Sequence, residues 1–135
     1  MRKQEQRLWD TMKRNAPSEF WLERVENVCV PGMSDVVVHH AGGTHCWVEL
    51  KAPQTPRREA TKLMGAKEGC SLAQINWHLK AASMNQRSFI LVRGSDQSLF
   101  LLPGKLAAIA NDLSAPQMRN HSLASTWPEV FEVLA

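Results

Sequence analysis

The apolar residues of the chain follow two patterns, one with helical spacing and one of short runs between turn residues. These patterns predict its secondary structure. Leu8, Trp9 and Met12 recur at helical spacing, which predicts a helix over residues 3–14. Short apolar runs bounded by turn residues predict strands. The expected strands are a strand-like segment within 20–30, followed by 35–40, 45–50, 89–93 and 99–102.

The second half of the chain carries the patterns of further helices. A helix over 72–83 has an apolar face made of Leu72, Ile75, Leu79 and Ala82. It starts with a capping-box pattern, in which Ser71 caps the first turn and Gln74 returns the bond. Short helices are also predicted at 106–113 and after Thr126, whereas 53–69 is predicted to be a mobile, basic connection and 114–125 a loop.

The order of these elements predicts the fold class. Helix, three strands, helix, two strands and helix indicate a mixed α/β domain with one central sheet and flanking helices. The chain has 135 residues, of which 44% are hydrophobic and 21% charged, as expected for one domain with its own core. We therefore expect a single domain over 1–135, with its core over about 1–113 and a C-terminal tail over 114–135.

Charge and cysteine content limit the location and partners of the protein. The formal net charge of +3 permits an anionic partner without requiring one. The three cysteines form no CxxC pair, which favours reduced, buried thiols. Residues 1–14 are charged and lack the apolar segment of a signal peptide, and no apolar run has the length of a membrane helix. We expect a cytoplasmic protein with no membrane partner.

A cluster of basic residues in the predicted connection is the candidate phosphate-binding surface. It consists of Arg57, Arg58, Lys62 and Lys67, with Glu59 and Glu68 as the acids among them. Such a cluster suits a nucleic-acid backbone. The alternative is an ordinary solvated loop.

Two acids and a lysine occupy matching ends of the predicted hairpin. Asp35 begins one strand, and Glu49 and Lys51 end the other. Because side chains alternate along a strand, Glu49 and Lys51 point to the same side. Carboxylates bind Mg²⁺ or Mn²⁺, usually with waters and a substrate phosphate, and a nearby ammonium can stabilise a transition state. The alternative is a surface ion pair, because acid–x–lysine triplets are common.

The register of this hairpin decides whether the two acids meet. A two-residue turn at 42–43 would place Asp35 opposite the residue after Glu49, on the wrong side of the sheet. A three-residue turn that pairs His40 with Thr44 would place Asp35 opposite Glu49, and a bulge near Asp35 would do the same. We therefore predict a three-residue turn or a bulge.

The spacing of these residues resembles that of a known nuclease family. Gly32-x-x-Asp35 followed by Glu49-Leu50-Lys51 is similar to the PD-(D/E)XK signature. The later Leu72-Ala73-Gln74-x-x-Trp77 block is similar to the VRR-NUC branch, a group of phage-type, stand-alone nucleases. The resemblance covers about residues 20–95. Ser34 replaces the proline that usually precedes the aspartate.

The resemblance implies a restriction-endonuclease-like fold and metal-dependent cleavage of DNA phosphodiesters. It implies that Asp35, Glu49 and the backbone carbonyl of Leu50 bind Mg²⁺ or Mn²⁺. Lys51 would orient the attacking water. Members of this branch are similar to Holliday-junction resolvases, which implies branched DNA as the substrate, a homodimer as the active form and, for a phage protein, the host cytoplasm as the location.

Two further site residues are expected with an alternative for each. Family members usually add an acid from the first helix, and Glu5 is the candidate because it lies on the apolar stripe of that helix; its alternative role is a favourable position at a helix start. Glu26 is the rival acid. Gln74 would complete the site, although its place in the capping box requires no catalytic role.

Two functions from different classes remain open at this point. The first is a small metal-dependent DNA endonuclease that recognises the shape of branched DNA, because the chain has no spare domain for reading base sequence. Symmetric cutting of two strands then requires two sites, and hence a homodimer. The second is a nuclease-like module that binds nucleic acid or a partner protein without cleaving.

Overall fold

The structure is a computed structural model that describes residues 3–25 and 30–135. Within these residues the strands are β1 (Phe20–Arg24), β2 (Val36–His40), β3 (His45–Lys51), β4 (Ser88–Arg93) and β5 (Leu99–Pro103). The helices are α1 (Lys3–Asn15), α2 (Gly65–Glu68), α3 (Leu72–Ser83), α4 (Ala107–Ala110), α5 (Ala115–His121) and α6 (Trp127–Leu134), and a 3₁₀ turn at Gly104–Leu106 precedes α4. None of these helices has both the length and the apolar character needed to cross a membrane.

The five strands form one mixed sheet in the order β1-β2-β3-β4-β5. β3 and β4 are parallel and are joined by a crossover that contains α2 and α3, and the other neighbours are antiparallel. Apolar residues of α1 and α6 pack on one face of the sheet, and those of α3, α4 and α5 pack on the other. The predicted mixed sheet with flanking helices is confirmed.

The β2–β3 hairpin has the predicted three-residue turn. The His40 N–H donates to the Thr44 carbonyl at 2.9 Å, which leaves three residues between them. The last of these is Gly43, whose φ of +95° lies in the left-handed region that favours glycine. Continuing the β2–β3 register by one pair places Asp35 opposite Glu49. The turn therefore brings the two acids to one point on the sheet.

The predicted loop over 114–125 is wrong for most of its length, because Ala115–His121 forms α5. The Ser114 hydroxyl accepts from the Gln117 N–H, and the Gln117 side chain accepts from the Ser114 N–H. Pro116 lies in the first turn, where its missing N–H is not needed. Met118 is fully buried in the core. The missed signal was a second Ser-x-x-Gln capping box, the same pattern that predicted the start of α3.

The predicted connection over 53–69 contains buried core residues. Leu63 and Met64 are both buried beside α4 and α5, and α2 follows them directly. Lys62 forms an isolated β-bridge with Ser114. Part of this segment is therefore held against the domain.

The apolar face predicted for α3 is largely exposed. Leu72 has 73% of its surface exposed and Leu79 has 39%, whereas His78 and Ala81 are buried. Gln74 and His78 are one turn apart and both find polar partners on the side that faces the sheet. These polar contacts share the side of α3 that faces the sheet with Ile75, which packs against the core.

Candidate functional site

The C-terminal end of β3 places Glu49 and Lys51 on the side of the sheet that faces α3. Glu49 is 1% exposed and Lys51 is 8% exposed. Asp35 is half-buried. It immediately precedes β2, the strand next to β3, and lies opposite Glu49. The Leu50 N–H donates to Asp35 Oδ2 at 3.1 Å, which fixes the carboxylate against the end of β3. The three residues expected to carry the chemistry are therefore brought together.

The first turn of α3 adds Gln74 to this group. Gln74 Nε2 donates to Glu49 Oε1, and Lys51 Nζ donates to Gln74 Oε1 at 2.9 Å. The same Oε1 accepts from the Ser71 N–H at 2.9 Å, which completes the predicted capping box. Gln74 thus caps α3 and contacts both β3 residues, so the two roles considered for it are compatible.

Replacing Gln74 by alanine separates these two roles when Gln117→Ala is the matched control. Each change removes the returning bond of a Ser-x-x-Gln capping box, which is expected to cost about 1 kcal/mol of unfolding free energy, and Gln74→Ala should cost more because it also leaves buried polar groups of β3 without a partner. Only Gln74→Ala also releases Glu49 and Lys51, so it alone should reduce the DNA cleavage that the sequence resemblance implies, by at least about tenfold. Urea denaturation and a cleavage assay measure the two effects. Equal cleavage by both variants would restrict Gln74 to capping.

The Glu49 carboxyl group is buried at an unusual energetic cost. Its Oε2 atom has no hydrogen-bond partner among the described residues. Burial and the neighbouring Asp35 charge raise the pKa of Glu49 to about 9, while Lys51 Nζ, 3.8 Å from Oε1, acts in the opposite direction. A cation that binds the unpaired oxygen would stabilise the ionised form of this buried acid.

The side chains present fit a hard divalent cation that keeps part of its water shell. Within 3–25 and 30–135, no three His, Cys, Asp or Glu side chains are grouped closely enough to hold an ion unaided. Asp35 and Glu49 supply two carboxyl groups that line the same cavity, and Leu50, whose carbonyl is the third expected ligand, follows Glu49 in the chain. Mg²⁺ typically takes one or two carboxylates and completes its shell with waters and substrate phosphate. The donor set matches that description.

These residues line one open cavity of about 320 Å³. Glu5 reaches it from α1 and Lys67 reaches it from α2, together with Asp35, Glu49, Lys51 and Gln74. The rival acid, Glu26, lies outside the described residues. Glu5 lines the same cavity as Asp35 and Glu49, but the three acids are not grouped closely enough to hold an ion by themselves, so its role as the third acid stays a prediction.

The other members of the predicted basic cluster lie apart from this cavity lining. Arg57 and Arg58 are exposed in the connection after β3. Lys62 Nζ is 2.9 Å from Asp112 Oδ1, in an ion pair whose two side chains are both exposed. Of the four predicted residues, Lys67 alone lines the site.

Gly32 docks the segment before Asp35 onto the start of α3. Its φ is +77°, and a Cβ atom at this position would overlap the Ala73 carbonyl and approach the Gln74 nitrogen to 2.6 Å. Glycine is thus required both for the backbone conformation and for the close approach. The Gly-x-x-Asp spacing of the sequence motif has its physical explanation in this contact.

A hydrogen-bonded chain that sequence reasoning missed lies below the site. Ser34 Oγ is 3.3 Å from His78 Nε2, and His78 Nδ1 is 3.1 Å from Ser88 Oγ. All three residues are buried, and His78 is one turn after Gln74 on α3. These hydrogen bonds connect Ser34, the residue before Asp35, with α3 and β4. The available signal was a polar residue four positions after Gln74 on the same helix face.

Acid is expected to destabilise the fold through His78. Burial, helped by the Lys51 charge, lowers the pKa of His78 from 6.5 to about 4. Between these values the unfolded chain binds a proton that the folded chain does not, so stability from this group is lost as pH falls. From pH 7 to 4.5 the wild type should lose about 2 kcal/mol more unfolding free energy than His78→Gln. Denaturation curves at several pH values measure this, and parallel losses would contradict it.

Comparisons with known proteins identify the fold. No protein-family model matches the chain, and no curated protein matches it significantly. Among solved structures, the chain is similar to Hjc, a Holliday junction resolvase from the archaeal hyperthermophile Archaeoglobus fulgidus. The TM-score is 0.59 at 13% sequence identity, over 95% of this chain and 96% of Hjc. The chain therefore has the restriction-endonuclease-like mixed α/β fold, as predicted.

Proposed function

We propose that the protein is a metal-dependent endonuclease that hydrolyses phosphodiester bonds in branched DNA. The observation that carries this proposal is the buried Glu49 carboxyl group beside Asp35. One of its oxygens has no hydrogen-bond partner within 3–25 and 30–135, and Glu49 lines an open cavity with Lys51. A fold maintained for packing alone gains nothing from this arrangement, because an unsatisfied buried carboxyl group is destabilising.

The proposed site uses Asp35, Glu49 and the Leu50 carbonyl to hold Mg²⁺ or Mn²⁺. When bound, such an ion supplies an activated water and offsets charge that develops on the phosphate. Lys51, held by Gln74 at 2.9 Å, places its ammonium where it orients the attacking water and stabilises negative charge. Glu5 is the third acid of the site.

The proposed substrate and assembly follow from the resemblance and the fold. Hjc is described as a Holliday junction resolvase, which supports a branched DNA substrate here. We propose that the active form is a homodimer, so that two sites cut two strands, and that it acts in the cytoplasm. Membership of the VRR-NUC branch is proposed on the Gln74 block and the Gly32 and Asp35 spacing alone.

The test compares duplex, forked and four-way-junction DNA with Mg²⁺, Mn²⁺ or EDTA. We expect wild-type protein to cut the junction with either ion and to leave it intact in EDTA. Light scattering of the same protein sample measures the oligomeric state, which we expect to be a dimer. Cleavage that persists in EDTA would reject the metal, and binding without cleavage of any substrate would support the non-catalytic module instead.

A further inference from the structure

Three arginines line a groove beside the candidate site. Arg7 and Arg14 lie two helical turns apart on α1, and Arg93 ends β4. Two hollows of about 230 and 400 Å³ form the groove, and both are lined by Arg7, Arg93 and Gln97. Arg14 lines the larger hollow. None of these residues belongs to the basic cluster predicted from the sequence.

The groove begins where the site cavity ends. Glu68 lines both the site cavity and the smaller hollow. Ala52, which follows Lys51, also lines that hollow, as does Gln4, which precedes Glu5. A strand of DNA placed in the site therefore has a continuous path toward the arginines.

The arginines of the groove carry positive charge that the described residues do not pair. Glu68, the acid of the smaller hollow, accepts from the Gln54 N–H at 3.0 Å. None of the three arginines forms an ion pair with a residue that the structure describes. Asp10, the acid of the larger hollow, pairs with Lys13 at 3.6 Å. Burial and the nearby Arg14 charge both lower the pKa of Arg93. The positive charges of Arg14 and Arg93 repel each other, and a bound anion would offset that repulsion.

One wall of the groove is fixed in position by hydrogen bonds. The Ser95 N–H donates to the Pro53 carbonyl at 3.1 Å, and the Thr55 N–H donates to Ser95 Oγ at 2.9 Å. The Asp96 N–H donates to Thr55 Oγ1 at 3.1 Å. The turn after Arg93 is thus tied to the segment that follows β3, so that this wall keeps its place relative to the site.

We propose that Arg7, Arg14 and Arg93 form a track that binds the phosphate backbone of a DNA arm leaving the site. The guanidinium group is suited to this role, because it stays charged and donates two parallel hydrogen bonds to phosphate oxygens. The proposal rests on the proposed function for the position of the DNA. The track sets the direction of the arm without reading its sequence.

The experiment measures binding of a fluorescein-labelled four-way junction in EDTA by anisotropy, over a range of salt concentrations. Each phosphate contact contributes about 0.9 to the slope of log affinity against log salt. We expect Arg7→Gln/Arg93→Gln to reduce that slope by about 2 and to weaken binding by about tenfold or more at moderate salt. The matched control is Lys80→Gln/Lys105→Gln, which removes the same charge from exposed sites outside the groove.

Two additional variants keep the outcome decisive if Arg93→Gln disturbs folding. Arg7→Gln/Arg14→Gln changes only exposed helix residues and should also reduce the slope by about 2, whereas Arg7→Lys/Arg93→Lys should retain most of it. An equal reduction in the lysine control, or unchanged slopes in the arginine variants, would overturn the track. If wild-type protein binds with the expected slopes but never cleaves, the proposed function fails while the track stands. If wild-type protein cleaves the junction and the arginine variants have unchanged salt slopes, the proposed function stands and the track fails.

Discussion

Gly32→Ala is expected to destabilise the protein by more than about 4 kcal/mol and to abolish most DNA cleavage. The new Cβ would overlap the Ala73 carbonyl, and this neighbour is backbone within the first turn of α3. The overlap is relieved only if α3 and the segment before Asp35 move apart. That movement withdraws Gln74 from Glu49, and a displacement of 1 Å at a site of this kind costs about a hundredfold in rate.

Gly43→Ala is the matched control for this prediction. Gly43 also has positive φ, +95°, but a Cβ atom there would have no neighbour within 4 Å. Its replacement should cost only the conformational penalty of about 1 to 2 kcal/mol. Urea denaturation of both variants, with single-turnover cleavage rates, measures the difference. Similar losses of stability in the two variants would show that the contact with α3 is unimportant.

Lys51→Ala is expected to reduce the single-turnover cleavage rate by about 10²- to 10³-fold. Lys51 Nζ is the cation of the cavity closest to Glu49, at 3.8 Å, and Gln74 holds it there. Because one charge is lost from a larger basic surface, junction binding in EDTA should change only a few-fold. The expected result is therefore a large fall in rate with nearly unchanged affinity.

The control for Lys51 is Lys105→Ala. β4 and β5 are antiparallel, with Arg93 opposite Leu99 and Phe89 opposite Pro103, so Lys105 lies beyond the end of the sheet remote from the site. It is exposed, and its loss should leave the cleavage rate unchanged. A Lys51→Ala rate within twofold of wild type would remove Lys51 from the proposed chemistry, or would reveal a contaminating nuclease.

Local rules were sufficient to predict the sheet and the meeting of its two acids. Strand side chains alternate, and the glycine at the end of the turn selects three residues rather than two. Asp35 and Glu49 therefore had one register in which they meet, and the structure has that register. The capping box predicted the start of α3, whereas the place of Gln74 in the site was expected from the family resemblance, with capping alone as its alternative.

The groove and the buried hydrogen-bonded chain were not predictable in the same way. Arg7 and Arg93 are 86 positions apart in the sequence, and only the parallel β3–β4 crossover brings their elements together. His78 was hidden for a different reason. The apolar pattern of α3 indicated another buried face, whereas the helix turns its polar residues toward the sheet because their partners are buried there.

The unsatisfied oxygen of Glu49 has a consequence for protein engineering. Most natural proteins can be stabilised readily by substitutions. Such substitutions often abolish function when they fall at a strained or destabilised active site. A library of variants selected only for resistance to heat, in a chelating buffer, should therefore replace Glu49 by glutamine, which removes the buried acid and keeps an oxygen that accepts from Gln74 Nε2. Such a selection would return well-folded variants that lack the proposed activity, and a substitution enriched at Glu49 would mark the site without any assay of cleavage.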